Sequence, residues 1–235
     1  MTRKIITPDD YKNIIHVPHE GVSHHGTSEE ETEALKASLL KDPRINNLLI
    51  PEECIRRRNT ALAEEICRDY GDMKDIEVLV VLTGAIIYAS DMGRAIYTAG
   101  SINTRYHMIK TSVYDKAIKS TGEQYRAVEM VLAPRDIDNR DILIVEDITD
   151  QGFTMTWLLD YLKNERLVNS TRTCSLLTKR LANPTPEVKK LRDELVVDYS
   201  GFDIEDIWIS GYGIDTAHDF RNIPHIIGIN EHYFS

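Results

Sequence analysis

The 235-residue chain has only three cysteines, Cys54, Cys67 and Cys174, and no CxxC spacing. An odd count without paired spacing excludes a disulfide framework and argues against a zinc site. Reduced, buried thiols in a cytoplasmic protein are the expectation. No apolar run approaches the ~18 residues that a membrane span requires. The opening MTRKIITPDDYKN lacks the apolar core of a secretory leader. Basic blocks are missing as well: 28 Lys and Arg stand against 38 Asp and Glu, a formal charge of −10. That balance argues against a nucleic-acid surface, so neither nucleic acid nor membrane is an expected partner. There is no P-loop, and SGYGID offers Gly211 and Gly213 but Thr216 where a dinucleotide fingerprint needs its third glycine. Internal repeats and low-complexity tracts are lacking too.

What is present is the composition of a globular protein, 42% apolar and 28% charged. The length suits one α/β core with a small appendage, so a single domain over 1–235 is expected. The most informative stretch is 141–157, DILIVEDITDQGFTMTW. Asp141 to Val145 read as a strand whose apolar run does not alternate, as in a parallel sheet covered on both faces. Glu146, Asp147 and Asp150 follow, then Gly152. Thr154 reads as the cap of a helical run through Met155, Trp157, Leu158, Leu159, Tyr161 and Leu162. In an open α/β sheet such a loop lies at the carboxyl end of a strand, where ligands bind. The helix start suits a phosphate. The carboxylates suit sugar hydroxyls, a metal ion or a basic ring. The bland alternative is an acidic turn with Asp147 or Asp150 as a cap. A phosphatase with an aspartyl nucleophile would need Asp at i and i+2, whereas Asp147 and Asp150 are three apart. An acidic protein that binds a polyanion needs local cations, and Mg²⁺ with one or two Arg or Lys residues would serve.

Along the rest of the chain, residues 1–50 are polar and punctuated by Pro and Gly. Thr27 or Ser28 reads as the cap of a helix opening on Glu29, Glu30 and Glu31. His16, His19, His24 and His25 cluster without a ligand spacing and read as surface-loop histidines. Residues 52–70 read as a helix closed by Gly71, with Arg56, Arg57 and Arg58 on a solvated face or an oligomer contact. Glu77 to Leu82 read as a buried strand, interrupted by Thr83 and Gly84 and followed by a crossover helix from Ile86 to Thr98. Thr104 to Tyr114 alternate as a strand and Ala127 to Leu132 return. The polar DKAIKSTGEQYR between them is either a functional flap or a solvated hairpin tip. Thr171 to Leu177 form another strand, ending in Thr178, Lys179 and Arg180. Residues 181–205 are charged and Pro-broken, with a short helix at Pro186 to Leu195. Strands are expected at Asp206 to Ser210 and at Ile226 to Ile229.

These segments resemble the hypoxanthine-guanine phosphoribosyltransferases, a family of type I phosphoribosyltransferases, from about Ile50 to Asn230. Four motifs in the right order carry the likeness: EDITDQGFT, Leu82-Thr83-Gly84, SLLTKR, and IEDIWISGYGID followed by FRN. The resemblance implies a mostly parallel twisted sheet flanked by helices, with a small hood built from N- and C-terminal segments. Residues 1–49 would be an extension to hood or oligomer contacts. It implies purine salvage: transfer of phosphoribose from 5-phosphoribosyl 1-diphosphate to N9 of hypoxanthine or guanine, with Mg²⁺, in a homodimer or homotetramer.

The same resemblance distributes the roles. Glu146, Asp147, Asp150, Gln151, Gly152, Phe153 and Thr154 would hold ribose and 5′-phosphate, with Asp150 as general base. Thr83, Gly84 and Arg221 would hold pyrophosphate. Lys179, Trp208, Ile209 and Asp215 would form the purine site, Glu146, Asp147 and Asp215 would associate with metal, and Ser112 and Tyr114 would belong to the flap. Singly, Lys179 reads equally as a solvated strand-end lysine, Trp208 as a core aromatic, Arg221 as a helix-terminus partner and Asp215 as a turn acid. Thr83, Phe153 and Val113 depart from the residues usual in the family. A xanthine-preferring enzyme, or a regulatory protein on the same fold, are the rival readings.

Overall fold

The computed structural model describes residues 3–118 and 124–234, the side chains of 112–118 and 124–127 excepted. In chain order the elements are β1 (Lys4–Ile6), β2 (Ile15–Val17), β3 (Val22–His24), α1 (Glu29–Leu39), β4 (Ile45–Ile50), α2 (Glu52–Tyr70) and β5 (Asp75–Leu82). Then come α3 (Ile86–Gly100), β6 (Asn103–Ile118), β7 (Gln124–Leu132), β8 (Asp141–Thr149), α4 (Phe153–Asn164) and β9 (Ser170–Arg180). The last are α5 (Pro186–Glu194), β10 (Tyr199–Glu205), β11 (Ile209–Ser210) and β12 (Ile226–Ile229).

A seven-stranded sheet in the order β2-β10-β9-β8-β5-β6-β7 forms the body. Every pairing in it is parallel except β6 with β7. Side-chain alternation along its central strands explains why their apolar runs are continuous. Val78 and Val80 of β5, with Leu143 and Val145 of β8, join a core with Ile55, Leu62 and Ile66 of α2 and Tyr88 and Met92 of α3. The intervening Leu79, Val81, Ile142 and Ile144 pack on the other face against Met155, Leu158 and Leu162 of α4. A separate three-stranded sheet, β11-β12-β4, makes the expected hood from both ends of the chain.

Several expectations are met closely. Ser28 caps α1 in a reciprocal capping box with Glu31, and Gly71 ends α2 with φ +55°. Others are corrected. Thr154 is not the cap of α4: Gly152, at φ +86°, holds that position, and Thr154 lies inside the first turn. Only Ile209 and Ser210 of the anticipated 206–210 strand are paired, and the body strand is the preceding β10, inside the stretch read as broken. The polar 115–126 segment is largely a continuation of β6 and β7, with Ala117 opposite Tyr125, and residues 119–123 of that expectation lie outside the described residues. Arg58 is not on a solvated face. It is buried in the core and donates to the carbonyls of Tyr11, Ser200 and Gly201 at 2.7, 2.7 and 3.1 Å. Arg56 and Arg57 do lie at the surface, paired with Glu53. The amino-terminal extension does more than build a hood, because β2 pairs with β10 as the edge of the body. Three of the four histidines take separate partners: His16 faces Asp203, His19 meets Glu205, and His24 Nδ1 lies 3.2 Å from the Tyr11 hydroxyl.

Candidate active site

Two segments at the carboxyl ends of parallel strands converge with a loop from the hood. The first is the end of β8, which continues past the expected Val145 to Thr149 and so carries Glu146 and Asp147, with the turn that enters α4. Glu146 is buried, at 6% exposure, and accepts a hydrogen bond from Thr149 Oγ1 at 3.2 Å, while Thr149 also donates to Ser175 Oγ at 3.0 Å. Loss of water around Glu146, and then the neighbouring Asp147 charge, push its carboxyl up to about 8. The Asp147 carboxyl is also raised, chiefly by removal from water, against the lowering effect of backbone N–H groups and Arg221. Residues Glu146, Ile148–Met155 enclose a pocket of about 160 Å³ at the start of α4. Gln151, Gly152, Phe153 and Thr154 line this pocket.

The second loop carries Thr83 and Gly84 after β5, and the Leu82–Thr83 peptide is cis. Gly84 is pressed between the other two loops. A Cβ there would lie 1.8 Å from Asp147 Oδ2, and a Cβ on Gly213 would lie 2.1 Å from the Gly84 carbonyl oxygen. Glycine at both positions is what lets the loops approach so closely. The third loop follows β11. Arg221 Nη1 donates to the Gly213 carbonyl at 2.7 Å, and Nη2 pairs with Asp215 Oδ1 at 2.7 Å. Asp147, Gly84, Asp215 and Arg221 thus form one neighbourhood, with Arg221 linked to Asp147 through its field.

Lys179, at the end of β9, closes the other side. Its side chain is only 14% exposed, and Nζ lies 3.6 Å from both Asp150 Oδ2 and Asp206 Oδ1. Trp208 follows the Lys179 partner Asp206 by two positions, at the edge of the hood. It is 41% exposed, its Nε1–H donates to Thr216 Oγ1 at 2.9 Å, and Ile209 beside it is buried in the hood. Trp208 lines a larger cavity of about 750 Å³ together with Asn47, Arg3 and Glu33, whose walls include neither Asp150 nor Lys179. Ser112 and Tyr114 lie on β6 opposite Glu129 and Ala127. Their side chains are outside the described residues.

Among the described residues no three His, Cys, Asp or Glu side chains form a cage for a metal ion. The buried Glu146 and half-buried Asp147 carboxyls, adjacent at the end of β8, are a donor set for a hard cation that takes its remaining ligands from substrate oxygens and water, as Mg²⁺ does. Two contributors were not legible in the sequence. Asp206 binds Lys179 across a gap of 27 positions, and Arg192 of α5 donates from Nη2 to the Lys179 carbonyl at 3.3 Å. No spacing signals either contact, because each depends on where a separate element folds back.

Residues 52–217 match the phosphoribosyl transferase domain family. The chain belongs to the phosphoribosyltransferases. Within that class it stands with the hypoxanthine-guanine branch. It is 31% identical to the hypoxanthine-guanine phosphoribosyltransferase of Dictyostelium discoideum over 78% of this chain and 95% of that one. Identity to the enzyme of that name from Mycobacterium bovis is 33%, over 77% of this chain and 85% of the relative. A crystal structure of a Staphylococcus aureus hypoxanthine phosphoribosyltransferase superposes with a TM-score of 0.68 at 27% identity, covering 83% of this chain and 97% of that one.

Proposed function

We propose that the protein transfers phosphoribose from 5-phosphoribosyl 1-diphosphate to N9 of hypoxanthine or guanine, giving the nucleoside 5′-monophosphate and pyrophosphate. The observation that carries this reading is the 3.6 Å approach of Lys179 to Asp150 beside the pocket at the start of α4. One side chain that only donates and one that only accepts stand together where a sugar phosphate would end and a base begin. A lysine donor matches a 6-oxo group and has nothing to accept from the 6-amino group of adenine.

In the reaction N9 attacks C1 of the ribose as the bond to the pyrophosphate oxygen breaks, through a centre of oxocarbenium character. Asp150 takes the proton leaving purine N7. The backbone N–H groups of 151–154 and the Thr154 hydroxyl hold the 5′-phosphate at the helix start. Glu146 and Asp147 hold the ribose hydroxyls. Arg221, oriented by Asp215, meets the departing pyrophosphate with the backbone of Thr83 and Gly84. Bound Mg²⁺, held by Glu146 and Asp147 with Asp215 nearby, would neutralise charge on the pyrophosphate. Trp208 offers its exposed face to the base from the hood, beside Ile209, and the β6–β7 hairpin with Ser112 and Tyr114 closes over the site to keep water from the reactive carbon.

A cytoplasmic setting accords with the three free thiols, and among the described residues no helix is long and apolar enough to cross a membrane. Assembly as a homodimer or homotetramer, and a single domain over the whole chain, complete the proposal. A study of the Trypanosoma cruzi hypoxanthine enzyme links its C-terminal region to oligomeric state. The test is an assay of hypoxanthine, guanine, xanthine, adenine and uracil with Mg²⁺ and phosphoribosyl pyrophosphate. Turnover of the first two should lead. Preference for xanthine, or no turnover with any base, would reject the assignment.

A further inference from the structure

The helix α5 lies in a stretch that the resemblance leaves unexplained, and its position gives it a task. Thr185 caps it, accepting from the Val188 N–H at 3.3 Å, with Pro186 at the start. Its last turn closes over the back of the turn that begins α4. A Cβ on Gly152 would meet Leu191 Cδ2 at 2.6 Å, Leu195 Cδ2 at 3.1 Å and Arg192 Cδ at 3.3 Å. The guanidinium of Arg192 then reaches the carbonyl oxygen of Lys179. One half-buried side chain therefore touches both the turn below the phosphate pocket and the strand end that carries the purine-reading lysine.

Charge makes the contact consequential. The pocket wall holds the carboxyl groups of Glu146 and Asp150 and no basic side chain. A sugar 5′-phosphate entering it would meet the Asp150 charge with no cation to offset it, only backbone N–H groups and the Thr154 hydroxyl. Lys179 is already engaged by Asp150 and Asp206. Arg221 is engaged by Asp215. Arg192 makes no carboxylate ion pair among the described residues, yet its positive field is felt at Asp150 and Glu146. Burial raises the strength of such a field by lowering the local dielectric.

We propose that Arg192 is a positioning residue for the 5′-phosphate: from behind Gly152 it supplies the cation that the pocket lacks, and through the Lys179 carbonyl it ties that pocket to the purine site. This rests on the placement of the 5′-phosphate given above. The experiment compares Arg192→Met and Arg192→Lys in the full chain, since both retain the stem that packs on Gly152. Arg192→Met should raise KM for phosphoribosyl pyrophosphate about tenfold, with kcat and the hypoxanthine KM changed much less, and Arg192→Lys should restore most of the loss. Binding of ribose 5-phosphate, followed by calorimetry, should weaken in the same order, while ribose itself should not distinguish the variants. Equal KM values in Arg192→Met and the parent would overturn the proposal. So would equal losses in Met and Lys, which would assign Arg192 to packing alone. Should the parent protein prove inactive with every base, the transferase reading fails, and ribose 5-phosphate binding still decides the role of Arg192.

Discussion

At the scale of single residues, the site is a balance of acids held out of water against a few cations. Asp150 is the side chain whose chemistry is least replaceable. Asp150→Asn keeps its shape but cannot take a proton, so kcat should fall about 10²–10⁴-fold. The melting temperature should change little, since the Asp150 side chain is 47% exposed. Steady-state rates with hypoxanthine check this, and an unchanged kcat would remove Asp150 as the base. Lys179→Ala should act on the other substrate, raising KM for the purine more than for phosphoribosyl pyrophosphate. Glu146 makes a prediction in pH. Its carboxyl stands at 4.5 when unperturbed and about 8 in the fold. Between these values the native state keeps a proton that the unfolded chain releases. Its contribution is therefore complete below about pH 4.5 and lost as pH rises through about 8. Calorimetry in the presence of a chelator should show Glu146→Gln gaining stability over the parent as pH rises from acid to mildly alkaline. Parallel curves for the two proteins would contradict the buried, protonated carboxyl.

At the scale of elements, legibility followed how local the deciding forces are. The strand expected at 141–145, which the structure extends to Thr149, the helix closed by Gly71 and the capped start of α1 all announce themselves through neighbours a few positions apart. Strand β10 did not. It lies in the stretch read as charged and Pro-broken, and a Cβ on its Gly201 would lie 2.5 Å from the Leu176 carbonyl oxygen, so close strand packing is what demands glycine. Its Asp203 and Glu205 meet His16 and His19 from the extension. The same limit governs the site. The acidic loop was legible because its residues are contiguous. Asp206 and Arg192 were not, because their partners are set by folding at long range. Trp208 could be read as base-stacking or as core, and its place in the hood could not be deduced from spacing. The cap on α1 provides an element-level test. Ser28→Ala removes the arm in which Ser28 Oγ accepts from the Glu31 N–H, leaving the backbone arm in place, and should cost the helix about 1 kcal/mol. Amide exchange over 29–39 should quicken, while transfer activity stays at the parent level.

For the whole molecule, substrate binding and folding are linked, since the three converging loops come from β5, β8 and the hood. Phosphoribosyl pyrophosphate with Mg²⁺ at a hundredfold excess over its Kd should stabilise the native state by about 2.7 kcal/mol. At this chain length that corresponds to an upward shift of several degrees in Tm. A scan with and without the ligand pair checks it, and an unmoved transition would show that the loops do not bind it.

The pairing of β2 with β10, pinned by Arg58 to Tyr11, has a practical corollary. Residues ahead of the region that matches the family behave as a selvedge, not a fringe. A version trimmed to begin near Ile50 would leave the β10 amides and carbonyls unmatched along one margin and deprive the buried Arg58 guanidinium of one of its three carbonyl acceptors. Such a fragment invites strand-to-strand clumping between copies, so the shortest useful version of this protein has to keep its opening residues.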